Sequence, residues 1–597
     1  MHALTQIKIN NFRSCRNTSL NLHGFTPIVG YNNAGKSNIL NAIEWLLAPT
    51  ALALADFNDV TVPVAVEGKV EGISASILDA MPNNHSSAIR PYLECDSISI
   101  RRRMSSPGSA ASAKIEVRDL AVIDEDDPAA WRSNPAGIEG AIKAIFPAPI
   151  RIHAMENAGD DVGKSSKTNT IGRLIAAITE QVKTAHQNEF RVALETIRNR
   201  LAADGGNRAI ELQTLDAETS AQLADLFPGL ALKIDLSPPD IPDLFKTGTV
   251  QVVESDGPGS IRSFDSVGHG AQRCIQMALI RHLAAKTMTG TSPRTTLLLI
   301  DEPELYLHPQ GIEQVRLSLR KLSQNGYQVI FSTHSPSLIT RDSAPDTVIV
   351  RKCGTSATTL ARNPLRAATL AAINDAAHQS RMIFELGRAA EVFFSDKVLL
   401  GEGKTENRLL PVAYDALRGK SMKADRLGLV VVDSSTSLIK AKRVLSEMHI
   451  DSFVLADLDF AFKVAAEQDL LPASDTDLLA ARPILARLSV VEGSDFALEA
   501  DGLPRKGGTL KPAVAWAAFA ADSEGKVIAE NLHTKLLAQG IWIWKVGAIE
   551  DALGSSEKGE QAIQRLELEL PAKTPAEIRA DLPEIAALLD WFSPPSP

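Results

Sequence analysis

The segment GYNNAGKS, residues 30–37, constrains the fold more than any other part of the chain. It follows the strand-like run TPIV and opens the apolar-periodic helix NILNAIEWLL. Strand, glycine-rich turn and helix in that order make a phosphate cradle, because free backbone N–H groups at a helix N-terminus face an anion and glycines keep side chains out of its way. Gly30, Asn33 and Gly35 build the loop, Lys36 brings a cation to the β- and γ-phosphates, and Ser37 offers an oxygen to Mg²⁺. ATP with Mg²⁺ is the expected occupant, and an α/β domain with parallel strands is the expected setting.

Two further motifs fit that setting. LLLIDEP is an apolar strand ending in Asp301, expected to bind Mg²⁺ through water, and Glu302, expected to polarise the attacking water. About thirty residues on, YQVIFSTH places His334 at the end of the next strand, where ABC ATPases keep a γ-phosphate-sensing histidine. Between P-loop and Asp301 lies SVGHGAQR, with Ser266, Gly268, Gly270 and Gln272, followed by a helix. This segment resembles the ABC signature loop, which closes on the nucleotide of a second copy and so implies a head-to-head homodimer around two ATP molecules. The opening KINNFRS is similar to the start of SMC and RecF-type ATPases, which act on DNA.

At 597 residues the chain exceeds a single core. The expected class is α/β: an ABC-type P-loop ATPase, residues 1–165 and 233–390, split by a helical dimerisation insert at 166–232. A C-terminal Toprim α/β nuclease domain then occupies 391–597. No run approaches 18 apolar residues, and MHALTQIKINNFRS reads as an alternating strand rather than a signal peptide, so no membrane and a cytoplasmic location are expected. Cys15, Cys95, Cys274 and Cys353 are scattered and read as isolated thiols. The net charge of −10 speaks against a simple basic DNA-binding module, although carboxylate-rich sites also push composition that way. Arg101, Arg102 and Arg103 read as a solvated strand end, with phosphate contact as the other reading.

The last third carries a second set of acids. DKVLLGEGKTE ends a strand at Glu402 and starts a helix with Glu406; fifty residues later FVLADLD ends a strand with Asp457 and Asp459. Carboxylates converging on one sheet edge repel unless cations lie between them, and hard oxygen ligands suit Mg²⁺ or Mn²⁺. The layout resembles the Toprim domain of topoisomerases, primases and some nucleases. Near the end, IWIWKVGAIED adds Lys545 before a turn with Glu550.

Together these motifs make the chain resemble, over nearly its whole length, the OLD (overcoming lysogenisation defect) family of ATP-dependent endonucleases, to which the Gabija nuclease also belongs. The resemblance implies Glu402, Glu406, Asp457 and Asp459 as metal ligands, Lys545 as the cationic catalytic residue, and DNA as substrate with a helicase as a partner. Glu402 and Asp457 would also serve in catalysis. The family's further acidic position falls loosely on GSDFALE, giving Asp495 and Glu499 with Glu550 as additional ligands. DNA cleavage by two metals, in phage defence or repair, is the function implied. An SMC- or RecF-like clamp with an inactive Toprim fold is the alternative. A topoisomerase needs a tyrosine nucleophile, and of the five tyrosines Tyr31, Tyr92, Tyr306 and Tyr327 fall in the ATPase and Tyr414 within a Toprim helix.

Overall fold

The computed structural model describes residues 2–124, 127–146, 149–154, 170–241, 250–253, 261–287, 295–354, 356–491, 496–505, 511–553 and 560–593. They form two compact units. One comprises Met1–Phe12, Leu22–Phe25 and Ser37–Thr333, the other Arg13–Asn21, Thr26–Lys36 and His334–Pro597.

In the first unit, VAVEGKVE forms the strand Val64–Glu71 with strict alternation of buried and half-buried residues, as a sheet with one covered face requires. It pairs antiparallel with Ala3–Phe12 and with Ser97–Met104, and Lys114–Arg118 and Trp131–Ser133 extend the sheet. The arginine run lies here, and two of its members correct both readings of the sequence. Arg101 stands opposite Glu67 and Glu116 on the flanking strands, pairs with Glu116 at 2.5 Å, and lies over the Trp131 ring. Arg102 is buried and donates to the Leu46 carbonyl and to Glu139. Cross-strand acids turn these side chains into internal ties, leaving only Arg103 exposed.

The unit also holds a parallel set, Ile150–Ile152, Thr296–Asp301 and Tyr327–Thr333, and a short antiparallel pair, Gln251–Val253 with Ile261–Ser263. Leu297 to Ile300 are fully buried, the mark of a strand covered on both faces. Helices Thr170–Leu201, kinked at His186, and Ile210–Leu226 occupy the place of the expected insert.

In the second unit the P-loop strand, ending at Gly30, pairs parallel with Val348–Lys352, which pairs antiparallel with Thr359–Ala361. Helices Leu365–Ala372, Ala376–Gly387 and Glu391–Phe394 lead to a parallel sheet in the order Leu427–Val431, Lys397–Gly401, Asp451–Ala456, Ile541–Ile543. Alternate residues of this sheet serve two cores. Val398, Leu400 and Val454 join Val29, Ile349 and Phe393 on one face, while Leu399, Leu455 and Trp542 face the C-terminal helices on the other. The P-loop strand therefore shares apolar packing with the C-terminal sheet.

Candidate functional site

The nucleotide cradle follows from local geometry. Gly35 has φ +102°, and a Cβ there would lie 2.0 Å from Thr359 Oγ1, so only glycine fits. Thr359 is fully buried; its Oγ1 donates to the Ala34 carbonyl at 3.0 Å and meets Ser14 Oγ at 2.7 Å, bracing the loop from behind. Asn33 takes the left-handed conformation that asparagine tolerates. Lys36 is buried at the start of the helix Lys36–Leu47, and its Nζ donates to the Gly30 and Tyr31 carbonyls and to His334 Nε2 at 2.8 Å. The lysine and the expected sensor histidine thus meet directly.

Asp301, in the other unit, is held by three side chains. Its Oδ1 accepts from Ser37 Oγ at 3.0 Å and Ser332 Oγ at 2.8 Å, while Oδ2 accepts from Arg151. Glu302 follows at φ +43°, a strained conformation for a side chain with a Cβ, fixed by its N–H donating to the Ser332 carbonyl at 3.0 Å. Arg273, the last residue of the signature-like segment, donates to the carbonyls of Asp301 and Glu302. Burial pushes its guanidinium down to about 10, against the pull of Glu304, Asp301 and Glu302. In that loop Ser266 and Gly268 are exposed, whereas Gln272 is buried with Nε2 donating to the Phe264 and Val267 carbonyls. Gln272 therefore shapes the loop from within, and Gly270 lies against the Tyr306 carbonyl.

The acids gather at the carboxyl edge of the C-terminal sheet, where ligands of parallel sheets bind. Glu402 follows Gly401, Asp457 follows Ala456, and Lys545 lies two residues beyond Ile543. Trp544 N donates to Ala456 O at 3.1 Å and Leu458 N to Gly547 O at 2.8 Å, lacing the Asp457 and Lys545 loops together. Glu406, in the first turn of the helix Lys404–Arg418, folds back over Gly403, where any Cβ would collide with its carboxyl. Glu406 is buried, and its Oε2 meets no hydrogen-bond donor among the described residues. Glu550 lies in the first turn of the helix Ile549–Ala552 and accepts from Thr405 Oγ1 at 3.1 Å.

These carboxyls oppose one another's ionisation. Burial, then the charges of Glu406, Asp459, Glu550 and Glu402, pushes Asp457 up to about 8. Burial, then Glu550 and Glu402, pushes Glu406 up to about 7. Withdrawal from water and then Asp459 raise Glu402 as well. An all-oxygen donor set whose members suppress each other's charge fits a divalent cation. Among the described residues no three histidine, cysteine or acidic side chains surround one point as placed, so direct ligation by three of them requires side-chain rotation.

Asp459 pairs with Lys463 at 2.8 Å, and both line a cavity of about 1090 Å³ with Glu499, Arg505 and Lys511. Asp495 lies outside the described residues. Lys545 pairs with Glu584 at 3.3 Å at the start of the helix Pro583–Phe592. Sequence reasoning missed Glu584, Arg151 and Thr359, none of which carries a local pattern, and gave Arg273 no role beyond closing the signature-like segment. Lys463 had one, standing four residues after Asp459 at a helix start.

Residues 3–127 and 152–339 match the model described as AAA ATPase domain, and 393–459 match "Overcoming lysogenization defect protein-like, TOPRIM domain". The "Old nuclease" of Escherichia phage P2 is 35% identical over 561 residues, 93% of this chain and 93% of that relative. The chain belongs to the OLD nuclease family. It joins an ATPase domain to a Toprim domain and is an ATP-dependent nuclease, a combination that uses a nucleotide and divalent metal. The "OLD nuclease" of Thermus scotoductus is 26% identical over 350 residues, 56% of this OLD-family chain and 59% of its own length. An SMC head bound to the C-winged helix domain of ScpA aligns with 60% of the chain and 97% of its own at a TM-score of 0.35 and 16% identity, a likeness that supports no further conclusion. Among the described residues no helix is long and apolar enough to cross a membrane.

Proposed function

We propose that this OLD-family protein is a DNA endonuclease or nickase that uses Mg²⁺, with Mn²⁺ as a substitute, and acts in phage defence or DNA repair. The observation that supports it most is the gathering of Glu402, Glu406, Asp457 and Glu550 beside the Lys545 loop at one sheet edge. Glu402, Asp457 and Asp459 would hold the metal, with Glu406 and Glu550 completing its surroundings and Glu499 facing the same cavity as Asp459. Bound as a pair, divalent cations supply water activation and charge neutralisation for in-line phosphodiester hydrolysis. Lys545, oriented by Glu584, offers positive charge to the leaving oxygen. Lys463, Arg505 and Lys511 around the cavity suit the phosphates of the substrate strand.

On the ATPase side, Lys36, Ser37, Asp301, Glu302 and His334 bind and hydrolyse ATP, and the exposed Ser266 and Gly268 reach the nucleotide of a second copy. The division into 1–165, 166–232, 233–390 and 391–597 describes these roles. The insert helices carry exposed Val192, Ile197, Leu226 and Phe227, which suits a homodimer contact.

Supercoiled plasmid incubated with the protein and ATP, Mg²⁺ or Mn²⁺ added separately, tests the reading. Nicking or linearisation with either metal and none in excess chelator is expected. Cleavage that persists in chelator overturns the metal-dependent mechanism.

A further inference from the structure

Phosphate binding needs no aromatic ring at the second P-loop position, yet Tyr31 stands there with an unusual set of contacts. The guanidinium carbons of Arg351 and Arg426 lie over its ring, 4.2 and 4.0 Å from the centroid. Its hydroxyl donates to Asp396, which also lies 3.5 Å from Arg351 Nε and 3.6 Å from Arg426 Nη1. Arg351 is buried and donates onward to the Phe393 carbonyl at 3.2 Å. Asp396 N donates to Arg426 O at 2.8 Å, which joins the residues that immediately precede the parallel strands Lys397–Gly401 and Leu427–Val431 of the Toprim sheet. The residue after Gly401 is Glu402.

The other end of Tyr31 faces the phosphate site. Its carbonyl accepts from Lys36 Nζ at 3.1 Å, in a set that also includes Gly30 O and His334. A phosphate that draws Lys36 to itself removes a charged donor from that carbonyl. We propose that Tyr31, held by Arg351, Arg426 and Asp396, is a positioning residue that ties phosphate occupancy of the P-loop to the strand ending at the metal ligand Glu402. All its members lie within one compact unit, and the strands beside them share one core through Val29, Ile349, Val398 and Val430. The inference rests on the reading of Glu402 as part of the nuclease centre. For binding, coupling of this kind is reciprocal: nucleotide changes the affinity of the nuclease site for its occupant, and that occupant changes nucleotide affinity by the same factor.

Arg426 belongs to neither site, so Arg426→Ala should keep basal cleavage and basal ATP hydrolysis. The measurement is the initial plasmid-cleavage rate with and without a non-hydrolysable ATP analogue at fixed Mg²⁺. Wild type should differ between the two conditions by about 5-fold or more, in the usual range of coupling between sites. Arg426→Ala and Tyr31→Ala should bring the ratio close to one. Arg426→Lys, which keeps the charge but not the planar stack, and Tyr31→Phe, which keeps the ring but not the hydroxyl, should fall between. Hydrogen exchange at residues 397–401 should respond to the analogue in wild type and not in Arg426→Ala, a readout that needs no cleavage. A wild-type ratio of one, or an Arg426→Ala ratio equal to wild type with unchanged exchange behaviour, overturns the link. Loss of cleavage under every condition would sink the nuclease-site reading instead, and the exchange response would still decide the link.

Discussion

The two reactive centres balance their charges in opposite ways. Near the P-loop, Lys36 donates to His334 and two carbonyls, and Asp301 accepts from Ser37, Ser332 and Arg151. At the Toprim edge Asp457 is pushed up to about 8 and Glu406 to about 7 by burial and by other acids. The nucleotide centre is a set of charges already satisfied by hydrogen bonds that its ligand must rearrange, whereas the carboxylate centre gains directly from a cation. The contrast teaches that one chain can combine a switch-like site with a strained one, and that each should answer differently to mutation, partner and pH.

The largest effect should come from crossing single mutations between the two centres. Asp457→Ala or Glu402→Ala should lower plasmid cleavage on the order of 10³-fold, about 4 kcal/mol of barrier, with phosphate release from ATP near wild type. Lys36→Ala should abolish phosphate release and leave some metal-dependent cleavage, because the Toprim carboxylates hold a cation of their own. Lys545→Ala should weaken cleavage without removing metal binding. Equal loss of both activities in folded single mutants breaks the comparison.

A composite nucleotide site sharpens it next. A Cβ at Gly270 would press on Tyr306 O, whereas Gly268 opens to space, so Gly268→Asp blocks the exposed loop with the lesser disturbance. Mixed dimers of Lys36→Ala and Gly268→Asp chains should recover ATPase at one of two sites. Heterodimers shown to form but without recovery would rule out the sandwich.

A smaller effect is thermal. In metal-free protein the raised Asp457 and Glu406 favour the protonated fold, so the folded state binds more protons than the unfolded one between about pH 4 and 8. Stability should therefore fall as pH rises through that window. Melting in chelator should drop with pH, Asp457→Asn should flatten the drop, and Mg²⁺ should restore most near pH 8. A pH-independent melting curve would contradict the mutual repulsion.

The smallest effect concerns substrate hold. Arg505→Ala with Lys511→Ala should raise KM with kcat nearly unchanged and reduce the slope of log affinity against log salt by at most about two, near one per lost phosphate contact. An unchanged slope would remove the cavity from the substrate path.

Much of this was written in local order. The P-loop, the apolar strand into Asp301 and Glu302, the turn from Glu402 to Glu406, the Asp457–Asp459 pair and Lys545 are legible because strand periodicity and glycine placement fix which residues sit at strand ends, and chemistry at strand ends needs few neighbours. Tertiary structure alone decided the rest. Arg101 and Arg102 became internal ties because acids on adjacent strands face them, and Gln272 turned inward because its own loop offered carbonyls. The partners of Tyr31, Asp301 and Lys545, namely Arg426, Arg151 and Glu584, lie far away in sequence or carry no periodic signal. Helical and strand periodicities report which face an element buries; which distant charge meets that face is set by how the elements pack, and that information resides in no single segment.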